Sequence, residues 1–93
     1  MARIHRDDLI FAEIPLPECL ILERSIFGDV WRREVGPKDL VTPMEVGVAL
    51  LVHRVTVYDW IAKGLLKTYK TEYGSRLRWG EVYRFARKRG LVK

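Results

Sequence analysis

Residues 42–79, TPMEVGVALLVHRVTVYDWIAKGLLKTYKTEYGSRLRW, decide how the chain is read: they predict a helix, a tight turn, a second helix and a two-stranded ribbon. Thr42 can set its hydroxyl on the free amides of a helix start. Pro43 suits the first helical position because its missing N–H has no partner there, and Glu45 can reach back to complete a capping box. Val46, Ala49 and Leu50 recur at helical spacing, and after a break over Leu51 to Arg54 a second set follows in Val57, Trp60 and Ile61. Gly64, free to take positive φ, closes the second helix. Two short helices joined by so few residues cannot lie side by side. They must cross steeply, which is the helix-turn-helix arrangement whose second helix is free to enter a DNA major groove.

Beyond Gly64, apolar and basic residues alternate on both sides of Glu72-Tyr73-Gly74-Ser75, the pattern of a β-hairpin. Leu66, Leu77 and Trp79 are expected to point inward, and Lys67, Lys70, Arg76 and Arg78 to face solvent or phosphate. A cationic ribbon beside a groove-reading helix is a wing, able to grip flanking backbone or lower an arginine into the minor groove. From Gly80 to Gly90, Val82, Phe85 and Ala86 share one helical face and Arg84, Arg87 and Lys88 the other. The spacing predicts an amphipathic helix packed across the first two, with Gly90 as its stop. Phe85 and Trp79 are assigned to the core.

The second helix divides into two faces. Val57, Trp60 and Ile61 form the stripe that packs on Val46 and Leu50, which leaves Arg54, Val55, Tyr58 and Ala62 open. Arg54 lies in the first turn, where its planar fork can take guanine O6 and N7 together or hold phosphate. Tyr58 is placed to give its hydroxyl to a phosphate, and Val55 to meet a thymine methyl or fill space. His53 is expected to cap the helix or to hydrogen-bond a phosphate. It has no ligand partners, the other histidine being His5 in the amino-terminal tip. Asp59 either accepts from a cytosine amino group or pairs with Arg54 or Lys63, and the surface pair is the expected outcome.

Residues 1–41 form an extension of different character. They hold 6 Lys/Arg against 8 Asp/Glu, whereas residues 42–93 hold 11 against 4, so the chain's net charge of +5 is concentrated in the helix-turn-helix half. Met1 to Arg6 reads as a frayed basic tip, and Ile14-Pro15-Leu16-Pro17 as extended. Pro17 and Glu18 are expected to open a helix through Leu20, Glu23, Arg24 and Phe27 that stops at Gly28. Alternatively, Gly28-Asp29 turns a hairpin between CLILERSIF and VWRREV. Gly36-Pro37 breaks the pattern and delivers the chain to Thr42.

Ninety-three residues suffice for one modest core, and 48% hydrophobic content favours a packed domain over a disordered chain. Cys19 stands alone, so no internal disulfide forms, and an inert, partly buried thiol in a cytoplasmic protein is expected. MARIHRDDLI has no long apolar core behind its positive charges, and no window approaches the roughly 18 apolar residues of a membrane span. Neither targeting nor membrane insertion is therefore expected. No Gly-rich phosphate loop and no convergent acid, base or nucleophile is legible, so neither catalysis nor a metal or cofactor is expected.

The run TPMEVGVALLVHRVTVYDWIAKGLLKTYK resembles the excisionase-type branch of the MerR-like winged helix-turn-helix superfamily. Thr56-Val57-Tyr58 with Trp60-Ile61, followed by Gly64, is the most diagnostic part, and the likeness covers about the last 50 residues. Three positions depart from the pattern: Leu51 where a turn glycine is usual, His53 in place of a small polar cap, and Asp59 where a basic residue is expected. The first two suggest a slightly different turn. The resemblance implies an α+β winged helix-turn-helix domain over residues 42–93 that binds double-stranded DNA, as a recombination directionality factor or a small transcription regulator. An integrase or another protein partner goes with the first use. The DNA-binding residues expected on these grounds are His53, Arg54, Val55, Tyr58, Lys63, Lys67, Lys70, Arg76 and Arg78. A module of this size buries only about 600–1,000 Å² on DNA, so self-association or cooperative binding is expected, with residues 1–41 as the candidate surface or as an extension of the core. The alternative is a protein-interaction module that offers the same cations to an acidic partner.

Overall fold

The computed structural model describes residues 3–5, 10–26 and 29–92, with backbone alone at 3–5 and 26. Among the described residues the chain forms two antiparallel sheets and three helices. None of the helices is long and apolar enough to cross a membrane.

The first sheet is a meander of β1 (Arg3–His5), β2 (Ile10–Glu13), β3 (Leu20–Ile26) and β4 (Asp29–Val35), each strand beside the next. The helix expected from Pro17 to Gly28 is therefore absent, and the hairpin reading holds: Leu20 faces Val35 and Ile26 faces Asp29 across one ladder. The physical reason is visible in burial. Leu20 and Leu22, two apart, are sealed beside Ile10 and Ala12 of β2, while Glu23 on the opposite face pairs with Arg32 at 3.1 Å. Asp29 already belongs to β4, and Gly28, the other residue of the expected turn, lies outside the described residues. Within the supposed frayed tip, Arg3, Ile4 and His5 pair with Ala12, Phe11 and Ile10. The run expected to stay extended bends at its end, where Cys19 N–H donates to the Leu16 carbonyl at 3.1 Å across a turn with Pro17 at its second position.

The rest of the chain follows as β5 (Leu40–Val41), α1 (Pro43–Leu50), α2 (Arg54–Ala62), β6 (Tyr69–Thr71), β7 (Gly74–Arg78) and α3 (Trp79–Lys88), with the second sheet ordered β5-β7-β6. The capping box of α1 is complete. Glu45 N–H donates to Thr42 Oγ1 at 3.1 Å, and Thr42 N–H donates to Glu45 Oε1 at 2.8 Å. All three helices end in the same way. In α1 the Val52 amide bonds the Gly47 carbonyl and Leu51 bonds Val48; in α2 Leu65 bonds Trp60 and Gly64 bonds Ile61; in α3 Leu91 bonds Ala86 and Gly90 bonds Arg87. This is the Schellman pattern, which places one residue in the left-handed region. Gly64 and Gly90 take it freely, but in α1 the residue is Leu51, at φ 57. The turn after α1 thus has the backbone a glycine would give, and the leucine bears the strain.

Trp79, expected in the ribbon, is the first residue of α3 and is fully buried. No side chain caps this helix. The linker between the sheets does so instead: the Asp39 carbonyl accepts from Trp79 N–H at 3.0 Å and the Pro37 carbonyl from Gly80 N–H at 2.9 Å. The buried residues of both sheets and all three helices form one cluster, from Ile10 and Leu22 through Val46 and Val57 to Leu77, Trp79 and Val82. Residues 10–35 therefore extend the same core, and Leu40–Val41 pairs with β7 in the second sheet.

Leu51 is 67% exposed, so its side chain contributes little packing. Relief of roughly 1–2 kcal/mol of left-handed strain, less about 0.5–1 kcal/mol of added chain entropy, predicts that Leu51→Gly stabilises the fold modestly. Gly47→Ala acts in the opposite direction, because a Cβ there would stand 2.8 Å from the Val52 carbonyl oxygen. A loss of about 1–3 kcal/mol is expected despite alanine's better helix propensity. Chemical denaturation of the two variants checks both signs.

Candidate nucleic-acid interface

Helix α2 carries its buried stripe as expected: Val57 is fully sealed, Trp60 nearly so, and Ile61 is half-buried against the core. Trp60 meets Phe85 of α3 edge-on at 5.0 Å between ring centres. Arg54, Val55, Tyr58 and Ala62 stand exposed on the other side, with Val55 63% and Tyr58 54% accessible. His53 caps the helix, its Nδ1 accepting from Val55 N–H at 3.2 Å. Of the two cations offered to Asp59, Lys63 takes it, at 2.9 Å and one turn away. The pair is exposed on both sides and worth a few tenths of a kcal/mol, roughly 0.2–0.5. Arg54 forms no ion pair or side-chain hydrogen bond among the described residues.

The hairpin β6–β7 turns through two residues, Glu72 and Tyr73, and Thr71 Oγ1 secures the turn by donating to the Gly74 carbonyl at 2.8 Å. Lys67 and Lys70 are exposed, as expected. Arg76 is half-buried, its Nη1 donating to the carbonyl of Ser75 at 3.0 Å. Arg78 keeps a side chain 43% exposed but also makes contacts within the domain. Its guanidinium lies 4.7 Å from the Tyr69 ring centre and 3.7 Å from Glu81, and its Nε is buried with no hydrogen-bond partner. The inward and outward faces of a strand end where the strand does, and Arg78 is the last residue before α3, so its side chain folds onto the body of the domain.

Four elements meet at a cleft of about 380 Å³, lined by Arg24 of β3, Thr42 to Met44 at the start of α1, Tyr58 of α2, and Ser75 and Arg76 of β7. Tyr58 of α2 and Arg76 of the hairpin thus border one space. Arg24 is the residue that sequence reasoning missed. The available signal was alternation: Leu20, Leu22 and Arg24 fall on one face of a strand, whereas the helical reading grouped Arg24 with Leu20, Glu23 and Phe27. A larger hollow of about 430 Å³ also adjoins Arg24 and includes Glu23, Trp31, Arg33 and Glu45. There Arg33 is held by the Leu40 carbonyl at 3.1 Å and by Glu45 at 3.4 Å. Cys19 is half-buried and free, and among the described residues no group of three or more His, Cys, Asp or Glu is disposed to hold a metal ion.

No protein-family model matches the chain, and neither the curated proteins nor the solved structures include a significant match.

At the base of the hairpin the Tyr69 hydroxyl donates to Glu81 Oε2 at 2.5 Å. This bond, with burial adding to it and the Arg78 charge opposing it, holds the phenol above its ordinary pKa of 10.0. A raised value in the folded state means that the bond's contribution is whole at neutral pH and is lost as pH climbs through the shifted pKa. The difference between phenolate absorbance titrations of the wild type and Tyr69→Phe is expected to show ionisation above pH 10.0. A midpoint at or below that value would show that the bond does not persist in solution.

Proposed function

We propose that the protein binds double-stranded DNA as a winged helix-turn-helix module of the excisionase-type, MerR-like kind, without catalysis. In this reading α2 enters the major groove and the β6–β7 hairpin is the wing beside it. The observation that carries the proposal is the division of α2: Val57 and Trp60 are sealed, whereas Arg54, Val55 and Tyr58 stand open on the side where Arg76 of the hairpin shares a cleft with Tyr58. Arg54 offers a fork to a guanine edge or to phosphate, Val55 a methyl contact, and Tyr58 a hydroxyl to the backbone. His53 can reach phosphate only through Nε2, since Nδ1 caps the helix. Lys67 and Lys70 flank the groove, and Lys63 contributes from within its pair with Asp59.

The resemblance supports two uses, a recombination directionality factor working with an integrase or a small transcription regulator. Either requires more than one copy on the site, because a single small module gives limited area. The exposed Val30 and Trp31 on the edge strand β4 are the candidate contact between copies.

Titration of duplex DNA at two salt concentrations tests the proposal. Binding should weaken steeply with salt and prefer one sequence, whereas an acidic-protein partner predicts no duplex preference. Arg54→Ala should cost on the order of 1–3 kcal/mol and relax selectivity at one base step if the fork reads a base. A uniform loss across sequences assigns Arg54 to phosphate. No loss at all overturns its place in the interface.

A further inference from the structure

The function proposed above uses α2 and the hairpin, and leaves the amino-terminal sheet as support. Arg24 changes that. It follows Leu20 and Leu22 on the inner face of β3, facing Ile10 of β2 and Trp31 of β4 across the ladders. Leu20 and Leu22 are sealed, but Arg24 is only half-buried and borders the cleft that Tyr58 and Arg76 line.

The other arginines of this sheet whose side chains are described have carboxylate partners: Arg32 holds Glu23 at 3.1 Å, and Arg33 holds Glu45 at 3.4 Å. Arg24 forms no ion pair or hydrogen bond among the described residues; Glu23 and Glu45 border the adjoining hollow, but no carboxylate lines the cleft it shares with Tyr58 and Arg76. Arg76 has only its neighbour's carbonyl. Two guanidinium groups beside one cavity repel each other and leave most of their N–H donors to water, a state that an anion with several acceptor oxygens relieves. Tyr58 adds a hydroxyl, and it lies one helical turn from Arg54 on the open side of α2, so a strand passing that helix also passes the cleft.

We infer that Arg24, Tyr58 and Arg76 form a seat for one backbone phosphate of bound duplex, which makes the amino-terminal sheet a third part of the DNA interface. The inference rests on the DNA-binding reading and adds to it a contact that neither α2 nor the hairpin supplies.

The test is the salt dependence of duplex binding by the full chain, comparing wild type with Arg24→Gln, Arg24→Lys, Arg54→Ala and Arg32→Gln. The last removes the same charge from a residue paired within the sheet. Loss of one phosphate contact lowers the salt slope by about 0.9, so Arg24→Gln should flatten it by that amount and weaken binding roughly tenfold at low salt. Arg24→Lys should keep the slope but bind a few-fold more weakly, because an ammonium lacks the fork, and Arg32→Gln should leave both quantities near wild type. If Arg24→Gln unfolds the chain, the lysine variant decides, because binding identical to wild type in slope and affinity would deny any role to the guanidinium fork. An unchanged slope in a folded Arg24→Gln, with Arg54→Ala still weakened, overturns the seat and leaves the DNA reading standing. A wild type that binds no duplex at low salt removes both. Inorganic phosphate, followed by amide shifts around Tyr58 and Arg76, separates the sources of the anion. Weak, non-saturating shifts fit a seat completed by the duplex, and tight saturation without DNA overturns it in favour of a free-anion site.

Discussion

Helix α1 has no free side, and the architecture depends on that constraint. Pro43, Val46, Gly47, Val48, Ala49 and Leu50 are all buried, because α2 and α3 pack on part of the helix and strands β1 and β2 on the rest. Seven of its eight residues are apolar, Glu45 being the exception, and such a helix makes sense as a shared wall between the first sheet and the other two helices. Gly47 is part of this arrangement, since the turn into α2 crosses so close to it that no side chain fits. The direction in which α2 leaves the core, and so the surface it offers, follows from how α1 is enclosed.

The cations of the chain fall into two groups with different consequences. Some are tied internally: Arg32 to Glu23, Arg33 to Glu45, Lys63 to Asp59, Arg84 to Glu18, and Arg78 to Glu81. Glu81 binds both Arg78 and Tyr69, so it anchors the base of the hairpin to α3. The remainder, with Arg54, Lys70 and Arg24 among them, have no such carboxylate among the described residues. Total charge would not have made this distinction, which depends on where acidic residues sit.

Most of the second half was legible in the chain. Thr42, Pro43 and Glu45 mark a helix start through local chemistry that needs no tertiary information, and Gly64 and Gly90 mark ends in the same way. Strands β3 and β4 were less legible for a physical reason. In LILERSI the first three residues are all apolar, so helical and alternating spacings both find support, and the choice is made by pairing with β2 and β4, which no local pattern announces. In DVWRREV only Val35 is buried, so the strand carries almost no alternation to detect. Arg78 lies at a boundary, and one residue at the junction of β7 and α3 obeys neither element's periodicity, so its contacts with Tyr69 and Glu81 were not legible. Leu51 shows the reverse: a residue ill suited to its backbone holds a conformation that its type argues against because the two hydrogen bonds that end α1, from Leu51 to Val48 and from Val52 to Gly47, require it.

The linker at residues 36–39 has a further consequence. Asp39 closes its own turn by accepting from Gly36 N–H at 2.8 Å, and the carbonyls of Pro37 and Asp39 complete the first turn of α3. The connection is thereby bonded at both ends, and the two sheets share one core. Rigid surfaces give up little chain entropy when they associate. Under the proposed reading, adjustment then falls to the nucleic acid: a site that does not fit must bend or change groove width, and sequences differ in how stiffly they resist. Selectivity would then arise partly from base steps that no side chain touches.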